Sequence, residues 1–68
     1  MPKVGAHVRV THFGGSFEQG TIVAVRDDGR RLEVRGEAGE VHEFVLSPAT
    51  ARFVSAASAQ GPRLDLLG

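Results

Sequence analysis

The segment TIVAVRDDGRRLEVR (residues 21–35) contains the clearest local fold signal in the sequence. Its first six residues are β-branched and largely apolar, which is typical of a strand that is covered on both faces or bent. Asp28-Gly29 follows, a pair favoured in type I′ turns because both turn positions need positive φ. Residues 31–35 then alternate, with leucine and valine on one face and charged side chains on the other. The segment therefore predicts a β-hairpin.

Three further strands are predicted outside this hairpin, two of them by runs of β-branched and apolar residues. Val4, Val8 and Val10 form the apolar face of the first strand. The apolar residues of the fourth strand do not keep one parity, so we expect a β-bulge there. Ser47-Pro48 ends that strand because proline lacks the ladder donor, and the segment SPAT has room for one 3₁₀ turn before the last strand. The predicted strands cover residues 4–11, 21–26, 31–35, 40–46 and 52–54.

Length and composition favour one small all-β domain. The chain has 68 residues, and before its C-terminal segment no ten-residue stretch without glycine has the 3.6-residue period of a helix. Five short strands with tight turns predict a five-stranded SH3-like barrel, because closure leaves few free edges. We expect residues 1–54 to form this barrel. We expect residues 55–68 to be a flexible tail, because the Ala, Ser, Gln, Gly and Pro of residues 55–62 bury too little apolar surface.

Charge and cysteine content exclude several classes of protein. Eight basic and eight acidic side chains give a formal net charge of zero, whereas a dedicated duplex-binding domain is usually strongly basic. The absence of cysteine excludes a disulfide scaffold, a thiolate metal site and a cysteine nucleophile. The longest apolar run, residues 22–25, is far too short to span a membrane, and no apolar signal segment follows Met1. We therefore expect a cytoplasmic protein.

The glycines ahead of the second strand resemble a phosphate-binding loop only in their spacing. Gly15 and Gly20 are separated as in a P-loop, but a Thr-Ile pair stands where Lys-Ser or Lys-Thr is required. No helix follows whose N-terminus could hold an anion. These glycines are better explained by a connecting loop that needs positive φ or tight packing.

The three histidines do not have the spacing of a metal site. His7 and His12 are five residues apart in a predicted strand region, so their side chains point to opposite faces. His42 precedes a glutamate but lacks the second histidine of a His-Glu-x-x-His site, and it lies on a predicted strand. We expect surface histidines, and no catalytic, cofactor-binding or metal-binding residues.

The glycine and valine spacing resembles that of KOW and bacterial Tudor-like modules. The motifs GxxVRV (residues 5–10), GxF (15–17) and GTIxxV (20–25) match a pattern in which a glycine opens strand one and Gly-x-Val-x-x-Val forms strand two. The motifs HFG (12–14) and FVLSPA (44–49) are similar to the Tudor-like C-terminal domain of bacterial repair helicases. The resemblance also extends to the KOW domains of elongation factors.

This resemblance covers residues 4–54 and implies a small barrel that binds RNA polymerase, ribosomal components or nucleic acid. The opening GxxVR motif is also similar to that of the plasmid-borne trimethoprim-resistant dihydrofolate reductase, a tetramer of small barrels around one pore. His42 and Phe44 stand where that enzyme has the Gln and Tyr that line its pore. We therefore expect no reductase activity.

Two groups of side chains are candidates for contact with a partner. Phe13 and Phe17 flank a Gly-Gly-Ser loop, and they either plug the barrel end or form a stacking or hot-spot surface. Arginines of strands one to three and the adjacent hairpin form either a solvated, salt-bridged face or a surface for phosphates or an acidic protein. These arginines are Arg9, Arg26, Arg30, Arg31 and Arg35.

The sequence as a whole predicts a non-enzymatic binding module, an accessory protein in transcription, translation or repair. The absence of Trp and Tyr excludes an aromatic cage for methyl-lysine and an aromatic groove for proline-rich ligands. The zero net charge favours a protein partner such as RNA polymerase over nucleic acid. The alternative is a self-associating barrel whose oligomer forms the functional surface. The expected state is a monomer or a weak homo-oligomer.

Overall fold

Six antiparallel strands close into a barrel in the computed structural model, which describes residues 3–57 and 61–66. Each strand pairs with the next along the chain, and the last pairs with the first. The described residues contain no α-helix, and hence none with the length and apolar character of a membrane span. The strands are β1 His7–Thr11, β2 Phe17–Arg26, β3 Arg31–Arg35, β4 Val41–Ser47, β5 Arg52–Ser55 and β6 Arg63–Leu66. The predicted all-β barrel is confirmed.

The barrel interior is a single apolar cluster to which every strand contributes. Phe44 is its largest fully buried member, with 0% of its surface exposed. Gly20 on β2 faces the same interior, and an added Cβ there would lie 2.5 Å from Val34 Cγ1. Glycine is required at this position because the facing valine leaves no room for a side chain. The buried cluster comprises Val8, Val10, Ile22, Leu32, Val34, Phe44, Phe53 and Leu64.

The predicted hairpin between β2 and β3 is confirmed, and its turn has the expected geometry. A 3₁₀ turn, Asp27–Gly29, connects the two strands. Asp28 has φ +58° and ψ +34°, and Gly29 has φ +89°, the left-handed pair that a type I′ turn requires. The Arg30 N–H donates to the Asp27 carbonyl at 3.1 Å and closes the turn.

The prediction of five strands is wrong, because β6 lies in the segment expected to be a flexible tail. The barrel therefore extends past residue 54, the boundary that we expected. Leu64 is only 4% exposed and pairs with Val10 of β1 and Phe53 of β5, so it joins the core. The segment RLDL (residues 63–66) follows the polar stretch 55–62, and its polar and apolar residues alternate as they do in a strand. Residues 58–60, 67 and 68 of the expected tail lie outside the described residues.

The 3₁₀ turn and the β-bulge lie at different places from those we expected. The single 3₁₀ turn in the described residues precedes β3, whereas residues 48–51 form a turn that the Ala51 N–H closes by donating to the Ser47 carbonyl at 2.8 Å. The β-bulge lies in β2, between Ile22 and Ala24, and the register of β4 is regular. The mixed parity of β4 arises because Val41 and Val45 face outward, with Val41 exposed at the end of the strand.

The first two strands also begin at other residues than expected. β1 begins at His7. Val4 lies before the strand and is exposed. The N–H of the neighbouring Gly5 donates to the Ile22 carbonyl of β2 at 2.8 Å. β2 begins at Phe17, four residues before the expected start. The connection between β1 and β2 is therefore a tight turn over residues 12–16, and Phe17 lies on a strand.

Candidate functional site

Phe13 and Phe17 are both exposed at the β1–β2 connection, with 79% and 66% of their surface accessible. The interpretation that they plug the barrel end is therefore wrong. The turn between them is closed by the His12 N–H, which donates to the Ser16 carbonyl at 2.7 Å. Gly14 and Gly15 have φ near +100°, a region that only glycine occupies readily. This tight turn keeps Phe13 outside the barrel.

Arg9 stacks on Phe17 across the outer surface of the barrel. The two residues are diagonal neighbours on β1 and β2, because Arg9 lies opposite Gln19 and Phe17 lies opposite Thr11. The guanidinium carbon of Arg9 is 5.0 Å from the Phe17 ring centroid, which is a cation–π geometry. Arg9 forms no ion pair with any described residue. We call Arg9, Phe13 and Phe17 the aromatic face.

A groove beside Phe13 adds a second cation to this surface. It has a volume of about 320 Å³, and the turn glycines and Arg63 of β6 line it. Arg63 lies opposite Thr11 in the β1–β6 pair. The neighbouring acid, Asp65, accepts a hydrogen bond from the Thr11 hydroxyl at 3.4 Å. The aromatic face is thus bordered by a groove with an arginine on its wall.

Two other arginines of the predicted set are held by acids on the outside of β2, β3 and β4. Arg26 Nε is 2.8 Å from a carboxylate oxygen of Glu33. Arg31 lies 2.5 Å from a Glu43 oxygen and 3.3 Å from an Asp27 oxygen, and Glu43 is the main cause of the raised pKa of Arg31. Exposed pairs of this kind contribute little to stability. This part of the surface is the solvated, salt-bridged face that was one of the two expectations.

The remaining predicted arginines lie apart from the aromatic face. Arg30 is exposed in the β2–β3 turn, at the opposite end of β2 from Phe17. Arg35 is exposed at the end of β3, and it lies opposite Thr21 of β2 and Val41 of β4. The seven predicted residues therefore do not form one site. The structure brings only Arg9, Phe13 and Phe17 together at one end of the β1–β2 pair.

Polar side chains close the end of the barrel beneath this surface. Nε2–H of His12 donates to Glu18 Oε2 at 2.5 Å, and the backbone N–H of Glu37 donates to Glu18 Oε1 at 2.9 Å. Nε2 of His42 lies 3.6 Å from Glu40 Oε1, and the His12 and His42 ring centroids are 6.0 Å apart. We call His12, Glu18, Glu40 and His42 the barrel-end cluster. His12 and His42, which we expected on the surface, are partly exposed, with 32% and 26% of their side chains accessible, and they belong to this cluster.

Hydrogen bonding stabilises the ionised form of Glu18. The hydrogen bond from His12, followed by that from the Glu37 backbone, lowers the pKa of Glu18 from 4.5 to about 2. In the unfolded chain these partners are absent, so the carboxylate there takes up a proton at a higher pH. Folding is therefore linked to the ionisation of Glu18.

Replacing Glu18 by glutamine should make the free energy of unfolding less dependent on pH in acid. Between the unfolded pKa of 4.5 and the folded pKa of about 2, the unfolded wild-type chain binds a proton that the folded chain does not. The stability that the Glu18 carboxylate contributes is thus complete above pH 4.5 and is lost as the pH falls towards 2. Urea denaturation at stepped pH should show the advantage of wild type over E18Q shrinking across this interval. E37Q keeps the donating backbone N–H and should follow wild type. Parallel profiles for wild type and E18Q would contradict the assignment.

Sequence reasoning missed the barrel-end cluster, although a signal for it exists in strand parity. Gly20 and Ile22 of β2 face inward, so Glu18 has inward parity as well. Phe44 of β4 faces inward, which gives His42 the same parity. An ionisable residue at an inward position near a strand end indicates a polar site at the mouth of the barrel.

The described residues thus present an exposed aromatic surface with a stacked arginine on the outside of the barrel, and a histidine–carboxylate cluster at the barrel end. Comparison of the chain with protein-family models, with curated proteins and with solved structures found no match in any of the three.

Proposed function

We propose that the chain is a non-enzymatic binding module that holds a protein of the transcription, translation or repair machinery through its aromatic face. The observation that carries the proposal is the exposure of Phe13 and Phe17 together with the stacking of Arg9 on Phe17. A small domain needs its large apolar side chains for the core. Two phenylalanines left outside therefore point to a use in binding.

The chemistry of the aromatic face fits an interface hot spot. Aromatic and arginine side chains are enriched among the residues that dominate binding energies, usually with neighbours that exclude water. Arg9 is already ordered against Phe17, so it loses less conformational freedom when a partner binds. The groove beside Phe13 provides a concave border for a protruding side chain of the partner.

Charge favours a protein over a nucleic acid as the partner. The net charge of the chain is zero, and Arg26 and Arg31 are neutralised by neighbouring acids. Around the aromatic face, Arg9 and Arg63 supply positive charge, which offers few phosphate contacts. Nucleic-acid affinity depends on the number of such contacts, whereas a protein with an acidic or apolar patch needs only a few charges.

The fold is consistent with an SH3-like barrel of the KOW or Tudor-like type. Short antiparallel strands follow one another around a closed barrel, as they do in small up-and-down barrels. The glycine and valine motifs of the resemblance fall on β1, β2 and the turns beside them. A barrel of this type would bind its partner through one outer face.

The proposal predicts that F13S/F17S weakens partner binding strongly while the barrel stays folded. Immobilised wild type and F13S/F17S would be compared in capture from the native host, and the captured protein would then be purified and titrated. Hot-spot truncations cost about 2 kcal/mol or more each, so we expect at least about a hundredfold loss of affinity. R30A, at the far hairpin, is the matched control and should bind as wild type does.

Two further measurements separate this proposal from its alternatives. Salt-dependent binding of single-stranded RNA or DNA, lost in F13S/F17S, would replace the protein partner by a nucleic acid. Sedimentation equilibrium that shows an oligomer for wild type and a monomer for F13S/F17S would assign the aromatic face to self-association. Partner binding that survives in F13S/F17S would overturn the aromatic face as the binding site.

A further inference from the structure

The barrel-end cluster combines the side chains that bind transition metals. One ligand atom from each of Glu18, Glu40 and His42 can be chosen so that all three lie within 4.8 Å of one another. These residues come from β2, from the residue before β4 and from β4 itself. We propose that they form a binding site for one divalent transition-metal ion of the zinc class. The proposal is independent of the aromatic face and of any partner.

The spacing of the ligand atoms is close to that of a coordinated ion. Zinc binds imidazole nitrogen and carboxylate oxygen at about 2.0–2.2 Å, so tetrahedral ligand atoms lie roughly 3.4 Å apart. Nε2 of His42 and Oε1 of Glu40 are already 3.6 Å apart, without a hydrogen bond between them. Water would fill the fourth position.

A buried nitrogen atom of His42 also favours a metal ion in the barrel-end cluster. Its Nε2 atom is buried, yet it has no hydrogen-bond partner among the described residues. A buried polar atom left in this way costs free energy, and a buried nitrogen without a partner requires an explanation. The lone pair of a neutral imidazole is a metal ligand, and an ion between His42 and the two carboxylates would satisfy it.

The surroundings hold Glu18 as they would hold a metal-binding carboxylate. His12 donates to one oxygen and the Glu37 N–H donates to the other, so each oxygen keeps a lone pair. Such outer hydrogen bonds orient metal-binding carboxylates and tune the site. Gly36 completes the cradle, because an added Cβ there would collide with the carboxylates of Glu18 and Glu40. Glycine thus leaves space where the ligands converge.

The ligand set selects the class of ion. One imidazole with two carboxylates suits zinc and neighbouring transition metals, since imidazole binds these ions well. Magnesium and calcium prefer oxygen ligands, and calcium takes six to eight of them. A bound ion would join β2, the β3–β4 turn and β4 at the end of the barrel. It would also fix the base of the turn that carries Phe13, next to His12.

The proposal predicts that the untagged chain binds one zinc ion near neutral pH, and calorimetric titration with zinc chloride would measure it. E40Q and H42Q should lose saturable binding, because each removes a ligand. H12Q should bind about 10–100-fold more weakly, because it removes only an outer hydrogen bond. E37Q and H7Q are matched controls that should keep wild-type affinity, since the Glu37 backbone N–H remains and His7 lies on the outer surface.

Long-range proton–nitrogen spectra of the histidine rings provide a readout beyond affinity. Zinc should shift the Nε2 resonance of His42 in wild type and leave that of His7 unchanged. Circular dichroism of each metal-free variant checks its fold, and the partly exposed Glu40 gives a ligand variant that should fold even where H42Q does not. The proposal is overturned by the absence of saturable binding, by wild-type affinity in folded E40Q, or by displacement of zinc with excess magnesium or calcium.

Discussion

Replacing Phe44 by alanine should lower the free energy of unfolding by about 3–5 kcal/mol. Phe44 is among the largest fully buried side chains, and it lies opposite Leu32 of β3 and Ser55 of β5. The residues around it belong to a closed barrel, so they can relax only partly into the space. Small domains are stable by only about 5 kcal/mol or slightly more, and F44A should therefore unfold largely or completely at moderate temperature.

Urea denaturation followed by circular dichroism would measure this loss, and F17A is the matched control. Phe17 carries the same side chain on the outside of the barrel, where removal changes stability by about 0.5 kcal/mol or less. F44L, which keeps most of the volume, should be far milder than F44A. Equal losses for F44A and F17A would contradict the assignment of inner and outer faces.

Replacing Leu64 by alanine should cost about 2–5 kcal/mol, as expected for a buried leucine. Leu64 lies on β6, 4% exposed, and faces the core between Val10 and Phe53. β6 also supplies the hydrogen bonds that join β1 to β5, and without it both strands would become open edges. A residue in a flexible tail would show no such loss.

The control for Leu64 is its outward-facing neighbour. R63A changes an exposed side chain of the same strand and should alter the free energy of unfolding by about 0.5 kcal/mol or less. Amide exchange would add a local test, because β6 amides that pair with β1 should be protected in wild type. Wild-type stability of L64A would show that the barrel ends at β5.

The hairpin of β2 and β3 could be predicted because its determinants are local. Asp28-Gly29 accepts the left-handed conformations of a tight turn, and the alternation after it sets the inner face. Leu32 and Val34, the apolar residues of that alternation, are fully buried in the core. β6 was not predicted because the loop-like composition of residues 55–62 was taken to continue to the end of the chain. Closure of a barrel depends on pairing between its first and last strands, which no local pattern reports.

The sequence patterns did not reveal the barrel-end cluster, because strand parity was misassigned on both sides of it. An expected start at Thr21 left Glu18 in a loop, and an expected bulge in β4 hid the inward position of His42. His12 and His42 are thirty residues apart and meet only through the registers of β1 to β4. The exposure of Phe17 follows from the same parity, because it alternates with the inward Glu18.

The most direct test of the account is an amide-resolved NMR titration of the nitrogen-labelled chain with its captured and purified protein partner. The aromatic face should be the centre of contact, so we expect the largest shift changes at Arg9, Phe13 and Phe17, with little change around the β2–β3 turn. The F13S/F17S variant should show no saturable shifts at the same concentrations. Shift changes centred on the Arg31–Glu43 surface, or unchanged in F13S/F17S, would contradict the proposed function.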